Sequence, residues 1–170
     1  MWITDLIANT VTELNPDGST AGTFNTDSGP IAIAFDGTHM WVANNEGNDV
    51  TEFNPDGSVV GTYNAGSGPT GLAFDGTHMW VSDQIGAVTE LNSDGSIAGA
   101  FHVVTTARDI AFDGTHMWVT DENANDVVIL NLDGSVSGTL SVGTAPWGLA
   151  YDGSSMWVTN NGSNNVTKIN

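Results

Sequence analysis

The residues best suited to bind a ligand are those that break the pattern of an internal repeat. At the first position of one apolar strand, successive copies of the repeat carry Ile31, Thr70, Arg108 and Trp147, and the next position carries Ala32, Gly71, Asp109 and Gly148. Arg108 is one of only two cations in the chain. An arginine beside an aromatic platform suits a small anionic ligand or a glycan. We therefore predict a ligand site at Thr70, Arg108, Asp109 and Trp147.

Three histidines occupy a single turn of the repeat and are the next candidates for chemistry. His39, His78 and His116 each end an Asp-Gly-Thr-His segment, and the fourth copy carries Ser155 instead. A metal ion shared between them would need its ligands at ~2.0 to 2.1 Å, whereas equivalent turns of separate repeats diverge. We therefore predict no metal site and interpret the histidines as turn or edge residues. No Gly-x-Ser-x-Gly motif is present either, and no catalytic residue is predicted.

One loop resembles the start of a calcium-binding loop. Asp121, Asn123 and Asn125 place side-chain oxygens at alternate positions, as an EF-hand does. However, Asp126 stands where the glycine belongs and Leu132 where the bidentate glutamate belongs. The sequence thus predicts no cofactor, with a weak, exposed calcium contact at Asp121, Asn123 and Asn125 as the alternative.

A repeating unit of 38 to 39 residues must position all these side chains. A Met-Trp pair followed by a β-branched residue marks repeats 1–39, 40–78, 79–116 and 117–155 and a partial repeat 156–170. Within residues 28–65, strand-like segments at 31–35, 40–43, 50–54 and 59–64 are separated by turns or polar loops. No segment shows a helical apolar period, and glycine or proline interrupts the chain throughout. Four strands in ~40 residues predict one blade of a β-propeller.

The predicted fold is therefore all-β, a β-propeller of four-stranded antiparallel blades with about 4.5 repeats, in a single domain over residues 1–170. The strands that contain Ile-Ala-Phe and Met-Trp-Val are apolar on both faces, which indicates sheets packed between neighbouring blades. We interpret the repeated tryptophan as a core residue. In a propeller, the predicted ligand site lies at the mouth of the central channel. Two alternatives stay open: a β-solenoid fold, and a mouth in which Arg108 only pairs with Asp109 or another carboxylate while Trp147 only caps the channel.

The charge of the chain excludes some partners. Two basic residues stand against twenty acidic ones, for a formal net charge of −18, so a nucleic-acid backbone would be repelled. No run of about 20 apolar residues suggests a membrane span. Eight of the carboxylates belong to Asp-Gly pairs and are predicted to close turns. The absence of cysteine excludes disulfides and thiolate metal sites; a secreted or extracellular location is favoured but not determined.

Several segments together resemble a known superfamily. They are Pro69-Thr-Gly-Leu-Ala-Phe-Asp-Gly, Met79-Trp-Val-Ser-Asp, Val88-Thr-Glu-Leu-Asn and Asp94-Gly-Ser. This pattern resembles the NHL, YVTN and streptogramin-lyase-like propellers over essentially all of the chain. The resemblance implies a blade per repeat but no single activity, because such proteins include binding and adhesion modules, surface proteins and a few enzymes.

Streptogramin lyases allow the resemblance to be applied residue by residue. Their catalytic histidines match Ile31, Thr70, Arg108 and Trp147, and their glutamate, near a magnesium ion, matches Asp5, Asn44, Asp83, Asp121 and Asn160. None of these positions carries a histidine, so the resemblance does not supply the general acid and base of that elimination.

The two ends of the chain predict self-association. Residues 1–15 and 156–170 are copies of the same pair of strands. In a ring closed within one chain, both copies would therefore compete for the same position in one blade. We expect a homodimer that closes one ring of eight to ten blades, with a fragment of a larger propeller or an exchange of terminal strands as alternatives. The predicted function is that of a non-enzymatic binding or scaffold module. The alternatives are a streptogramin-lyase-like enzyme and an engineered or split symmetric propeller without ligand function.

Overall fold

The computed structural model describes all residues, 1–170, and consists of strands, turns and loops. Eighteen strands form five antiparallel sheets, which we number as blades in chain order. The first blade contains β1 (Trp2–Asp5), β2 (Thr10–Leu14) and β3 (Thr20–Asn25), and the fifth contains β16 (Pro146–Tyr151), β17 (Met156–Asn160) and β18 (Asn165–Ile169). The second contains β4 (Pro30–Phe35), β5 (Met40–Asn44), β6 (Asp49–Phe53) and β7 (Val59–Asn64). The third contains β8 (Pro69–Phe74), β9 (Met79–Asp83), β10 (Ala87–Leu91) and β11 (Ile97–His102). The fourth contains β12 (Ala107–Phe112), β13 (Met117–Asp121), β14 (Asp126–Leu130) and β15 (Val136–Ser141).

The order of strands within each sheet confirms the propeller. Each strand pairs with its neighbours in sequence, so every blade is a simple meander. The innermost strands β4, β8, β12 and β16 contact one another in succession around the axis. Separate sheets arranged in this way exclude the β-solenoid alternative. No helix that could cross a membrane is present.

Asp-Gly turns join the strands and use their carboxylates as predicted. In the second blade, Asp36 Oδ1 accepts hydrogen bonds from the amides of Thr38 and His39, and Oδ2 accepts one from Trp41 Nε1 at 2.7 Å. The same contacts recur at Asp75, Asp113 and Asp152. Each of these four turns therefore also satisfies the indole N–H of the repeated tryptophan, which lets that side chain enter an apolar core.

The core lies between blades rather than within one sheet. Trp80 is fully buried and belongs to one cluster with Met117 and Val119 of the next blade. Trp41 occupies the equivalent place one blade earlier, in a cluster with Met79 and Val81. The core prediction is confirmed for these two tryptophans. In contrast, Trp157 of the fifth blade is 37% exposed, because no further blade covers it.

The five blades form an arc with two uncovered faces. Successive blades are in extensive contact, whereas the first and fifth are not. Ile3 of the first blade is 45% exposed, and Trp157 of the fifth is exposed at the other end. As predicted, the first blade consists of three strands without an innermost one and the fifth of three strands without an outermost one.

Candidate functional site

The starts of the four innermost strands meet around one cavity at the mouth of the arc. This cavity has a volume of about 340 Å³. Of the predicted site residues, Thr70, Arg108 and Trp147 line it, whereas Asp109 does not. The remaining lining residues are Leu6, Ile31, Asn45, Glu46 and Gln84. All five blades thus contribute a side chain to one axial site.

Arg108 and Trp147 form the centre of this site. The guanidinium carbon of Arg108 lies 4.7 Å from the centroid of the Trp147 ring, which is a cation–π contact. Arg108 Nε donates a hydrogen bond to Glu122 Oε2 at 2.6 Å. The partner of Arg108 is therefore Glu122 and not Asp109. Trp147 remains 47% exposed, so an aromatic surface held next to a cation is open to a ligand.

Thr70 is a fixed part of the wall of the cavity. It is 8% exposed, and its Oγ1 donates to the carbonyl oxygen of Ser82 at 3.1 Å. The hydroxyl of Ser82 lies at the same distance from Thr70 Oγ1. Because these contacts hold the hydroxyl of Thr70, only its methyl group and the small exposed part of its side chain are available to a ligand at the mouth.

Asp109 lies behind the site and joins two blades. Its carboxylate accepts hydrogen bonds from the amides of Leu149 in the fifth blade and Ile110 in its own, at 2.8 and 2.9 Å. A Cβ atom at Gly71 would lie only 2.9 Å from Asp109 Oδ1, and Gly148 is also adjacent. Burial raises the pKa of Asp109 to about 6, although the two hydrogen bonds oppose this shift. The alternation of aspartate and glycine at this repeat position thus reflects packing between neighbouring blades.

Side-chain amides form the rim of the site and were not predicted from the sequence. Asn45 Nδ2 donates to the carbonyl oxygen of Pro69 at 3.0 Å, and Gln84 Nε2 donates to Asn45 Oδ1 at 2.9 Å. Equivalent repeat positions, each directly after the second strand of a blade, carry Asn45, Gln84 and Glu122. Their variation from copy to copy was the signal that could have identified them.

The acidic residues at the ends of the second strands close loops. Asp83 Oδ1 accepts hydrogen bonds from the amides of Ile85 and Ala87. Asp121 accepts from the amide and the hydroxyl of Thr105, at 2.6 and 2.7 Å. Burial raises the pKa of Asp121, but the hydrogen bonds outweigh this effect and hold the pKa below its usual value. These carboxylates are therefore already occupied by donors of the protein.

The side chains of the predicted calcium contact have separate partners. Both oxygens of Asp121 accept hydrogen bonds, Asn123 Nδ2 donates to Thr106 Oγ1, and Asn125 Oδ1 accepts from the amide of Ala145. The weak calcium contact stays a prediction.

The histidines lie at the opposite end of the sheets from the mouth. His39, His78 and His116 follow the ends of β4, β8 and β12, whereas Ile31, Thr70 and Arg108 at the mouth are the second residues of the same strands. The structure does not bring the three histidines together. Two of them instead have a glutamate of their own blade within 2.8 Å, Glu52 for His39 and Glu90 for His78.

Comparison with solved structures identifies the architecture. The virginiamycin B lyase from Staphylococcus aureus matches 98% of the chain with a TM-score of 0.81 and 20% sequence identity. A second structure, described as a streptogramin B lyase, matches 99% with a TM-score of 0.82 and 16% identity. The chain has a streptogramin-lyase-like propeller fold. A functionally unknown protein from Desulfotomaculum acetoxidans shares this fold, with a TM-score of 0.81 and 13% identity over 99% of the chain.

These matches concern the fold and part of a longer chain. The chain spans 64% of the length of each of these three structures. No protein-family model and no curated protein matches it. Within the streptogramin-lyase-like propeller, the positions that the resemblance assigned to the lyase histidines are the ones that line the axial cavity. The same part of the fold therefore carries Ile31, Thr70, Arg108 and Trp147 in this chain.

Proposed function

We propose that this chain is a non-enzymatic propeller module that binds a small anionic ligand or a glycan at the axial mouth. The observation that carries the proposal is the pair of Arg108 and Trp147, which lies in a cavity shared by all five blades. A half-exposed indole offers a flat apolar surface for the C–H face of a sugar ring, and arginine offers several hydrogen-bond donors in one plane.

The charges around the mouth favour a glycan over a strongly anionic ligand. Glu122 already offsets the charge of Arg108, and Glu46 also lines the cavity. The terminal nitrogens of Arg108 are not engaged by Glu122, whose contact is with Nε. Together with the amides of Asn45 and Gln84, they provide donors and acceptors for neutral hydroxyl groups. The net charge of −18 would further disfavour a multiply charged anion.

A lyase-like enzyme is the second candidate function, and the shared fold is the observation that favours it. Elimination requires a group that moves a proton at the reacting centre. The cavity is lined by Ile31, Thr70, Arg108 and Trp147 at the positions matching the lyase histidines. These side chains supply binding surface rather than an imidazole. A scaffold without any ligand is the third candidate.

A glycan-array screen followed by calorimetry tests the proposal. Arg108→Ala and Trp147→Ala together are expected to abolish binding of the glycan or small anion that is found. The melting temperature should stay nearly unchanged, because Trp147 lies at the surface. Lys168→Ala is the matched control: Lys168 also lies over a tryptophan ring, that of Trp157, but away from the cavity.

Two results would contradict the proposal. Unchanged binding by the double variant would place the ligand elsewhere on the molecule. Cleavage of virginiamycin B by the unmodified chain in the presence of Mg²⁺ would instead favour the lyase-like candidate.

A further inference from the structure

Two blades contain the same compact group of an aspartate, a histidine and a glutamate, far from the axial mouth. In the second blade this group is Asp36, His39 and Glu52, and in the third it is Asp75, His78 and Glu90. Within each group, one oxygen or nitrogen of every side chain lies within 4.8 Å of the others. The mouth and its proposed ligand make no use of these residues.

The buried glutamate is the unusual member of the group in the second blade. The side chain of Glu52 is fully buried. Its Oε2 accepts a hydrogen bond from the Tyr63 hydroxyl at 2.8 Å, whereas its Oε1 has no hydrogen-bond donor. His39 Nδ1 lies 2.8 Å from this Oε1, the separation of an ion pair when the imidazole is protonated. A neutral His39 leaves the buried carboxylate without a neighbouring positive charge, which a bound cation would supply.

The arrangement of the other two side chains leaves coordination positions available. Asp36 Oδ2 lies 3.8 Å from His39 Nδ1 and accepts a single hydrogen bond, from Trp41 Nε1. A carboxylate oxygen can accept twice, so Oδ2 keeps one acceptor position. The fixed backbone contacts of Asp36 Oδ1 with Thr38 and His39 hold the turn in place.

The geometry points to a divalent transition-metal site in each of these two blades, with zinc as the preferred ion. We propose that Asp36 Oδ2, His39 Nδ1 and Glu52 Oε1 bind one ion, and that Asp75 Oδ2, His78 Nδ1 and Glu90 Oε1 bind a second. Zinc binds imidazole nitrogen and carboxylate oxygen, and three protein ligands leave a fourth position for solvent. Tetrahedral bonds of ~2.0 to 2.2 Å would require the Nδ1 and Oε1 atoms to separate slightly from their present 2.8 Å.

An ion can reach the site in the second blade from solvent. Asp36 and His39 line a cavity of about 320 Å³ between the second and third blades, which also includes Trp41, Phe74 and Met79. The side chain of His39 is 27% exposed. The cavity supplies both a path of entry and room for the fourth ligand.

The fourth blade provides an internal comparison. Asp113 and His116 occupy the equivalent turn, with Nδ1 of His116 3.8 Å from Asp113 Oδ2. In the sheet register, Trp41 pairs with Glu52 and Trp80 pairs with Glu90, but Trp118 pairs with Ile129. The fourth blade therefore lacks the third ligand, and we expect no tight ion binding there.

Calorimetric titration with Zn²⁺ tests the proposal on the whole chain. Excess Mg²⁺ and Ca²⁺ in the buffer occupy the exposed carboxylates and any weak calcium contact. We expect two Zn²⁺ ions per chain, one ion after Glu52→Gln or Glu90→Gln, and none after both. His116→Ala should leave the ratio at two, and Ile129→Glu should raise it to three.

Co²⁺ provides an independent readout of the same sites. Tetrahedral coordination of Co²⁺ by nitrogen and oxygen gives visible absorption bands that are much stronger than those of free Co²⁺ in water. Added Zn²⁺ should remove these bands by displacing Co²⁺ from the sites. If a glutamine variant does not fold, as judged by circular dichroism, His39→Ala and His78→Ala replace it. Two results would overturn the proposal: no Zn²⁺ binding above the Mg²⁺ and Ca²⁺ background, or an unchanged ratio in the variants that remove the ligands.

Discussion

At the scale of single residues, the environment of each tryptophan determines its role. Trp80 is fully buried between two complete blades, whereas Trp147, which lies outside the repeated Met-Trp pattern, is 47% exposed at the mouth. Trp80 Nε1 donates to Asp75, so its burial leaves no polar group unsatisfied. The ring also stacks on Phe101, with centroids 5.8 Å apart. The same residue type therefore stabilises the core in one place and offers a binding surface in the other.

Replacing Trp80 by alanine should be strongly destabilising. We expect Trp80→Ala to lower the free energy of unfolding by ~3 to 5 kcal/mol, because it removes a buried indole and leaves a cavity. Urea denaturation followed by circular dichroism measures this loss. Trp147→Ala is the control and should change stability little, since its ring is half-exposed. A loss below ~1 kcal/mol for Trp80→Ala would be incompatible with the core described above.

Asp109 predicts a specific pH dependence of stability. Burial raises its pKa in the folded chain to about 6 from an ordinary value of 3.8. Between these two values, the folded chain retains a proton that the unfolded chain releases. The stabilising contribution of Asp109 is therefore complete below pH 3.8 and is lost as the pH rises through about 6.

Asp109→Asn removes this titration while keeping an oxygen for the amide of Leu149. The variant should have nearly the same stability as the parent at pH 4 and should be more stable at pH 7, by at most ~3 kcal/mol. Urea denaturation at both pH values measures the difference. The same difference at pH 4 and pH 7 would show that Asp109 does not titrate in this way.

At the scale of elements, aromatic residues of the outer strands pack onto the Asp-Gly turns of the next blade. Gly95 has a φ of +76°, and a Cβ atom at this position would overlap the ring of Tyr63. Phe24 with Gly57 and Phe101 with Gly134 repeat the contact at the neighbouring junctions. These glycines therefore provide both a left-handed turn and a close approach between blades.

A pair of glycine variants separates these two contributions. Gly76 has a φ of +99° but no atom within 4 Å of a built Cβ, so Gly76→Ala should cost only the backbone strain, ~1 to 2 kcal/mol. Gly95→Ala should cost a further ~1 to 3 kcal/mol, because Tyr63 must move. Melting temperature and urea denaturation compare the two variants. Equal losses would mean that Tyr63 accommodates the added methyl group without cost.

The elements were largely predictable from the sequence because their signals are local. The four segments predicted within residues 28–65 correspond to β4 to β7 within one residue at each end. The group of Asp36, His39 and Glu52 was not predicted, because Glu52 reaches the turn only through the register of β5 with β6. Similarly, the contacts of Asp109 with Gly71 and with the amide of Leu149 were not predicted, because both partners belong to adjacent blades. Contacts between strands and blades depend on register and curvature, which no short pattern encodes.

At the scale of the whole molecule, the two ends of the arc have complementary surfaces. Met1 and Ile3 of the first blade occupy the repeat positions of Met117 and Val119, which belong to the cluster that contains Trp80. Trp157 occupies the position of Trp80 and is exposed. The fifth blade also has a hollow of about 440 Å³, lined by Trp147, Thr159, Val166 and four asparagines.

We therefore propose that a second copy of the 170-residue chain packs its first blade against the fifth blade of its partner. Trp157 of one chain would meet Met1 and Ile3 of the other, as Trp80 meets Met117 and Val119 within the arc. Two such junctions would close one ring of eight to ten blades, with local rearrangement where the three-stranded blades meet. The charge of −18 on each chain opposes association, but exposed charges are screened beyond ~8 Å at physiological salt.

Light scattering at physiological salt measures the outcome. Because one chain has a mass of 17.7 kDa, the expected particle has about 35 kDa. Trp157→Glu places a charge in the proposed interface, so it should shift the particle to 17.7 kDa while the β-sheet circular dichroism is retained. Arg108→Ala, which lies at the mouth and outside the hollow of the fifth blade, should remain dimeric, because it leaves the apolar surface around Trp157 unchanged. A monodisperse 17.7 kDa particle with a full β-sheet spectrum for the unmodified chain would contradict dimerisation and favour closure within one chain.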